Sequence, residues 1–136
     1  MKHLHTLLAL GASLLMAGCA SETIQLEPNR TYVVEWIGER PLIDNSYLTI
    51  TLDDDGRAFG TAGCNHWFAS FSIKEQQIHF EQPGSTLMAC APALMEQEQR
   101  FLQALSKVER WDVSPTEQLR LWPAEGKPIR MWPEEG

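Results

Sequence analysis

Apolar and polar positions alternate in short runs from Thr31 almost to the end of the chain, the period of half-buried β-strands. Thr31–Ile37 (TYVVEWI) is rich in β-branched and aromatic residues and predicts a strand. Gly38 to Asn45, with Pro41 inside it, predicts a connection. Ser46–Leu52 (SYLTITL) alternates cleanly, with Tyr47, Thr49 and Thr51 on one face and Leu48, Ile50 and Leu52 on the other. Asp53-Asp54-Asp55-Gly56 breaks that run and Arg57–Thr61 resumes an extended one. An Asp-Gly step between two such runs predicts a hairpin, because Gly tolerates φ > 0 and Asp caps the turn. A calcium loop would need oxygen ligands at alternate positions and a downstream Glu, which consecutive acids at a strand end do not supply. Trp67–Ile73 and Gln76–Phe80 predict two more strands, with a break near Lys74-Glu75 and a turn at Pro83-Gly84.

Between Ala91 and Lys107 the period changes. Leu94, Met95, Phe101, Leu102 and Leu105 form a helical stripe, and Pro92 falls in the first turn, where a missing N–H costs nothing. Glu96 and Glu98 stand early and Lys107 late, the placement the helix macrodipole favours. Arg110–Val113, Gln118–Trp122 and Pro128–Trp132 then predict short strands, separated by Ser114-Pro115 and Gly126-Lys127. A run of strands, one helix and more strands predicts a mostly β (α+β) fold, an antiparallel sheet or partly open barrel with one packed α-helix.

The amino terminus is different in kind. Residues 1–6 hold Lys2, and residues 7–18 (LLALGASLLMAG) are almost wholly apolar. A run that short does not span a hydrocarbon core of about 30 Å as a helix, but it fits a signal-peptide h-region. The alternative is a buried amino-terminal helix. Leu15-Met16-Ala17-Gly18-Cys19 resembles the bacterial lipobox, with Met16 in place of the usual Leu. That resemblance implies cleavage after residue 18 and acylation of Cys19. Several acyl chains, at about 0.8 kcal/mol per buried CH₂, make attachment to a membrane effectively permanent. Ala20 and Ser21, with no Asp after the cysteine, imply sorting to the outer membrane with the domain facing the periplasm. The expected organisation is a signal peptide at 1–18, a lipidated Cys19 and tether at 19–30, and one domain at 31–133.

The chain has 11 Lys and Arg against 18 Asp and Glu, for a net charge of −7. Loss of Lys2 with the signal leaves 10 − 18 = −8. No basic stripe remains to neutralise phosphates, which excludes nucleic acid as a partner, and such a surface is not drawn to anionic headgroups. Cys64 and Cys90 make an even pair; in an exported chain the first reading is a disulfide, with free thiols or metal ligands as the rival.

Gly60-Thr61-Ala62-Gly63-Cys64-Asn65, followed by Thr86-Leu87-Met88-Ala89-Cys90 and by the helix positions Glu98, Phe101, Leu102 and Leu105, resembles the META domain family of HslJ-like bacterial lipoproteins. The resemblance runs from about Tyr32 to Trp132. It departs from the family pattern at Ala69, where Gly is common, and at Phe71, where Tyr is common. It implies a compact β structure with one helix and a Cys64–Cys90 disulfide. It implies no catalytic mechanism and no cofactor. The fold it implies is similar to that of some secretin pilotins, small lipoproteins that escort outer-membrane channel subunits.

Other candidate sites are weaker. Cys64, Asn65 and His66 could be a nucleophile, its orienter and its base, but a disulfide removes the thiol, and adjacent strand residues face apart, so Asn65 points away from Cys64 and His66. His66 and His79 lack a third metal ligand at a recognisable spacing. Gly60 and Gly63 read as bulge or close-packing positions rather than a phosphate loop, and Glu96/Glu98 and Glu134/Glu135 as solvated surface. Five Trp in a chain this short carry more information. Most are expected in the core, Trp36 among them, while Trp67, Phe71, Trp111, Trp122 and Trp132 are candidates to line an apolar groove. The expected function is a non-enzymatic outer-membrane lipoprotein with a binding or envelope-assembly role, anchored by its lipid. The alternative is a pilotin-like lipoprotein assisting a secretin of a type III secretion system, binding an apolar segment or lipid.

Overall fold

The computed structural model describes residues 11–13 and 26–135. Most of the expected signal peptide, Cys19 and most of the tether lie outside the described residues. Nine strands and a helix follow in order: β1 (Thr31–Ile37), β2 (Arg40–Pro41), β3 (Thr49–Leu52), β4 (Arg57–Thr61), β5 (His66–Lys74), β6 (Gln77–Ser85), α1 (Pro92–Ser106), β7 (Val108–Val113), β8 (Leu119–Pro123) and β9 (Ile129–Pro133). Every strand pairs antiparallel with its neighbour, and β9 returns to pair with β1, so eight strands close into a meander barrel while the short β2 pairs with the last residues of β1, beyond the β3 ladder. Closure leaves the barrel strands no free edge to template aggregation.

A barrel of eight strands has an interior that side chains just fill. Here the filling comes from alternate strand positions, among them Val34, Ile50, Leu52, Trp67, Ile78, Leu119, Leu121 and Met131, with Phe101 and Leu105 supplied by the helix. β6 and β7 meet in a single ladder pair, Gln77 at the start of β6 opposite Arg110 in the middle of β7. Above it α1, which joins the two strands in sequence, packs against β6 and β1. Phe101 stands edge-on to Trp67, ring centroids 5.1 Å apart. The helix thus belongs to one end of the barrel, with the turns after β1, β4, β6 and β8. The β3–β4, β5–β6 and β7–β8 turns and the incoming segment at Leu26–Arg30 lie at the other end.

Several expectations needed correction. The ladder between β1 and β9 shifts register between Val34 and Trp36, and this bulge sends Ile37 inward in place of Trp36. Trp36, expected in the core, is therefore only half-buried. Pro83-Gly84, expected as a turn, lies inside β6. Two residues there, Gln82 and Pro83, face the single residue Ala69 between the pairs Ser70–Glu81 and Phe68–Gly84. Gln82 takes φ of 50°, and the bulge tolerates a proline because no ladder N–H is required there. The macrodipole argument also fails: no acid stands in the first turn of α1 and no base in the last, and Lys107 follows the helix as its C-cap. The Asp53–Gly56 hairpin is as expected. Asp53 Oδ1 accepts from the backbone N–H of Asp55 at 2.9 Å and of Arg57 at 2.8 Å, bonds that hold its carboxyl below the usual carboxylate range.

Candidate functional site

The motif residues converge at the helix end of the barrel. At Gly60 the chain runs so close to β3 that a Cβ would lie 2.1 Å from the Thr49 carbonyl oxygen. That approach lets the Thr61 N–H donate to Thr49 Oγ1 at 3.1 Å. Gly63 then turns with φ of 97° and delivers Cys64 and Asn65 beneath the segment that follows β6. Cys64 is bonded to Cys90, with Cα atoms 6.1 Å apart, within the span a disulfide bridges.

Asn65 is buried and its amide is fully used. Its Oδ1 accepts from Thr86 Oγ1 at 3.0 Å and from the Met88 N–H at 2.6 Å. Its Nδ2 donates to the Met88 carbonyl at 3.3 Å and to Glu98 Oε2 at 3.0 Å. The amide has two donors and two acceptor lone pairs, and all four are engaged. Asn65 is thus a clamp that fastens residues 86–88 over the barrel end, beside a covalent tie two residues on. The thiol of Cys64 is consumed and Asn65 is committed, so neither is left for the nucleophile-and-orienter arrangement. His66 starts β5 at the helix end and His79 pairs with Ser72 toward the other, so the two do not converge. Among the described residues no group of three His, Cys, Asp or Glu side chains comes together.

Glu98, expected on a solvated surface, is 1% exposed. It and Gln97 take the inward positions one turn before Phe101, so the helix face on the barrel is polar in its first half and apolar in its second. Gln97 accepts from the Ile43 N–H at 2.8 Å and donates to Ser46 Oγ at 3.1 Å, fastening the loop before β3. Only one oxygen of Glu98 finds a partner; Oε1 is buried with none. The helical stripe read from hydrophobicity missed both residues. The signal that could have found them is their position, one turn before Phe101 on its own face.

The disulfide and the Asn65 hydrogen bonds are ties of different kinds on the 86–90 segment, and they separate by experiment. The Cys64→Ser/Cys90→Ser variant should lose about 3.5 kcal/mol in urea denaturation, the chain-entropy value for a loop of this size. It should keep hydrogen-exchange protection at the Met88 amide, because Asn65 still accepts from it. Loss of that protection would show that the disulfide alone fastens the segment.

The proposed groove aromatics do not line one groove. Trp67 is in the core, its Nε1 donating to the Thr49 carbonyl at 2.8 Å. Trp111 is buried too and donates to the Glu75 carbonyl at 2.8 Å. Trp122 lies on the outer face under the Arg110 guanidinium, 4.5 Å from the ring centroid, and donates to Asp112 Oδ1 at 2.9 Å. Burial alone would raise the Asp112 carboxyl, but hydrogen bonds from Arg120 and Trp122 outweigh it and hold it below the usual carboxylate range. Trp132 is 37% exposed and its indole N–H is bonded to the Glu35 carboxylate. Phe71 lines a cavity of about 310 Å³ at the end away from the helix, together with Leu26, Leu52 and Ile73. An indole needs a hydrogen-bond partner when buried, and each of these four Trp found its own within the barrel wall.

An opening near α1 is formed by other residues. A cleft of about 410 Å³ lies between the second half of the helix, the turn after β1 and the turn after β8. Its floor includes Ile37, Leu121 and Ile129, and its rim carries Arg40, Arg100, Lys107 and Lys127 against Glu39 and Glu125. Sequence reasoning did not group these cations because they are scattered across three segments: β2, the helix with its C-cap, and the turn after β8.

The fold and this end of it define a class: a small meander barrel, covered at one end by a single helix and fastened there by a disulfide and an asparagine clamp. The chain belongs to the META domain family, whose model matches residues 23–136. Its fold is similar to an NMR structure of a protein from Burkholderia xenovorans, at 24% identity and a TM-score of 0.67, over 85% of this chain and 96% of that one. A second NMR structure is similar at 20% identity and a TM-score of 0.60, over 76% of this chain and 88% of the other. No curated protein matches the chain.

Proposed function

We propose that the chain is an exported, non-enzymatic lipoprotein, anchored through Cys19 to the periplasmic face of the outer membrane, with a binding or envelope-assembly role. The observation that carries this reading is the Cys64–Cys90 disulfide, a bond kept in oxidising compartments, in a chain whose third cysteine closes a signal-like apolar run. The placement of the ends supports it as well. The incoming segment at Leu26–Arg30 meets the barrel at the end opposite α1, so a membrane tether there leaves the helix-end cleft facing away from the bilayer. The Cys64 thiol and all four hydrogen-bonding positions of the Asn65 amide are spent on holding the fold, which favours recognition over chemistry.

Cys19→Ala should abolish labelling by radioactive palmitate and leave a soluble or uncleaved chain on fractionation. Unchanged label on the variant would reject the anchor. A crosslinked pull-down from intact envelopes addresses the binding role. Pilotin-like escort of a secretin is a second reading with one observation in its favour: Leu87 is 95% exposed and Met88 57%, apolar knobs on a fastened segment. A secretin subunit in that pull-down would favour it.

A further inference from the structure

We propose that the cleft at the helix end binds a single-chain anionic amphiphile, an acyl chain ending in a carboxylate or a phosphate. The proposal rests on the binding role above and names the ligand class for it. The cleft, about 410 Å³, is within the range of small-molecule sites. Its charge is opposite to that of the molecule. Four cations and two acids line it, 4 − 2 = +2, while the chain carries −7, so everything outside the lining sums to −7 − 2 = −9. Cations gathered at one concave place on an acidic surface focus anions there.

These cations are also largely unemployed. Among the described residues Arg100, Lys107 and Lys127 form no ion pair, and Arg100 keeps a buried Nε with no hydrogen-bond partner. A desolvated donor without a partner is costly, and a guanidinium matches a carboxylate or phosphate as a two-pronged donor. Arg40 reaches Glu96 at 3.8 Å, but both side chains are about two-thirds exposed and such a pair is worth little. The carbonyl end of α1 repels an anion near Lys107. Arg100 stands two turns further in, roughly 10 Å away along the axis, so the head group belongs beside Arg100 and Arg40. The tail then lies along Ala104, Pro123 and the methylene stems of Arg100 and Lys107, above the buried Ile37, Leu121 and Ile129. That apolar lining sets the ligand apart from a bare anion, and the rim sets it apart from a neutral lipid.

The test uses the full chain carrying Cys19→Ala, free of detergent, titrated with dodecanoate, dodecyl phosphate and dodecanol in competition with fluorescent cis-parinarate. A photoreactive dodecanoate then maps the contact by mass spectrometry. Both anions should bind at least about tenfold more tightly than the alcohol, and the label should fall on cleft residues; the preferred anion tells a fatty acid from a phosphorylated lipid. Arg40→Gln/Arg100→Gln should remove that tenfold preference and leave alcohol binding unchanged. Lys127→Glu, on an exposed turn, should weaken anion binding without lowering the melting temperature, which guards against a misfolded double variant. Dodecanol binding as tightly as the anions, label on Leu26 and Phe71 at the far end, or an unaffected double variant would each overturn the proposal. Envelope capture of a partner by the double variant would leave the binding role standing while the amphiphile fails.

Discussion

Gly60→Ala should be among the most damaging single substitutions in this domain, costing about 3 kcal/mol or more of stability from the addition of one methyl group. The new Cβ would meet the Thr49 carbonyl oxygen at 2.1 Å and its carbon at 2.7 Å, both backbone atoms of β3. A side chain could swing aside. A ladder carbonyl cannot, and this one also accepts the hydrogen bond from Trp67 Nε1. Moving β4 outward would break the Thr61 N–H bond to Thr49 Oγ1 and shift the turn that presents Cys64 and Asn65. Gly84→Ala is the internal control. There the nearest atoms belong to the Phe68 ring, at 3.1 Å, and Phe68 is 54% exposed and free to tilt. Urea denaturation of both variants decides it. Equal, small losses at the two positions would show that β3 and β4 separate easily, and the tight crossing would lose its role in placing the motif.

The second large effect concerns the tryptophans. Trp67→Ala should cost about 3–5 kcal/mol, the range for truncating a large buried aromatic, and lower the melting temperature by on the order of 15 °C or more. Trp67 is 1% exposed, packs edge-on against Phe101 and carries a buried hydrogen bond, so truncation opens a cavity between helix and barrel and orphans the Thr49 carbonyl. Against a total stability of roughly 5–15 kcal/mol, such a loss takes much of the fold. Trp132→Ala should cost less than about 1 kcal/mol, because its ring is more than a third exposed and its one bond is to a surface carboxylate. Thermal unfolding of the pair checks both values. Similar melting temperatures would mean that the helix is not seated on Trp67.

Local patterning was enough to read most of the elements. β1 and β4 run over the residues their alternation marks, and the Asp53–Gly56 hairpin, the helix near Pro92 and the three last strands all follow from nearest-neighbour chemistry. These features depend on period, turn residues and capping, which act over a few residues and are written in consecutive positions. The pairing of Cys64 with Cys90 was the first reading of an even cysteine pair in an exported chain, with free thiols or metal ligands as the rival, and resemblance to the family supported it.

What tertiary structure decided was everything that depends on which face meets what. A one-residue bulge in β1 exchanged Trp36 for Ile37 in the core, and another in β6 turned an expected Pro83-Gly84 turn into strand, because the inside-outside code of a sheet has period two and one added residue inverts it. Glu98 looked solvated until Asn65 of a distant turn reached it, since burial of a carboxylate depends on a partner that sequence distance conceals. The helix-end cleft was the least legible feature of all. Arg40, Arg100, Lys107 and Lys127 are single charges in an acidic chain, and only closure of β9 onto β1 beneath α1 gathers them around one apolar floor. The sequence by itself determined the strands, the helix and the motif residues; barrel closure, a long-range event with no local signature, decided which side chains became core, clamp or rim.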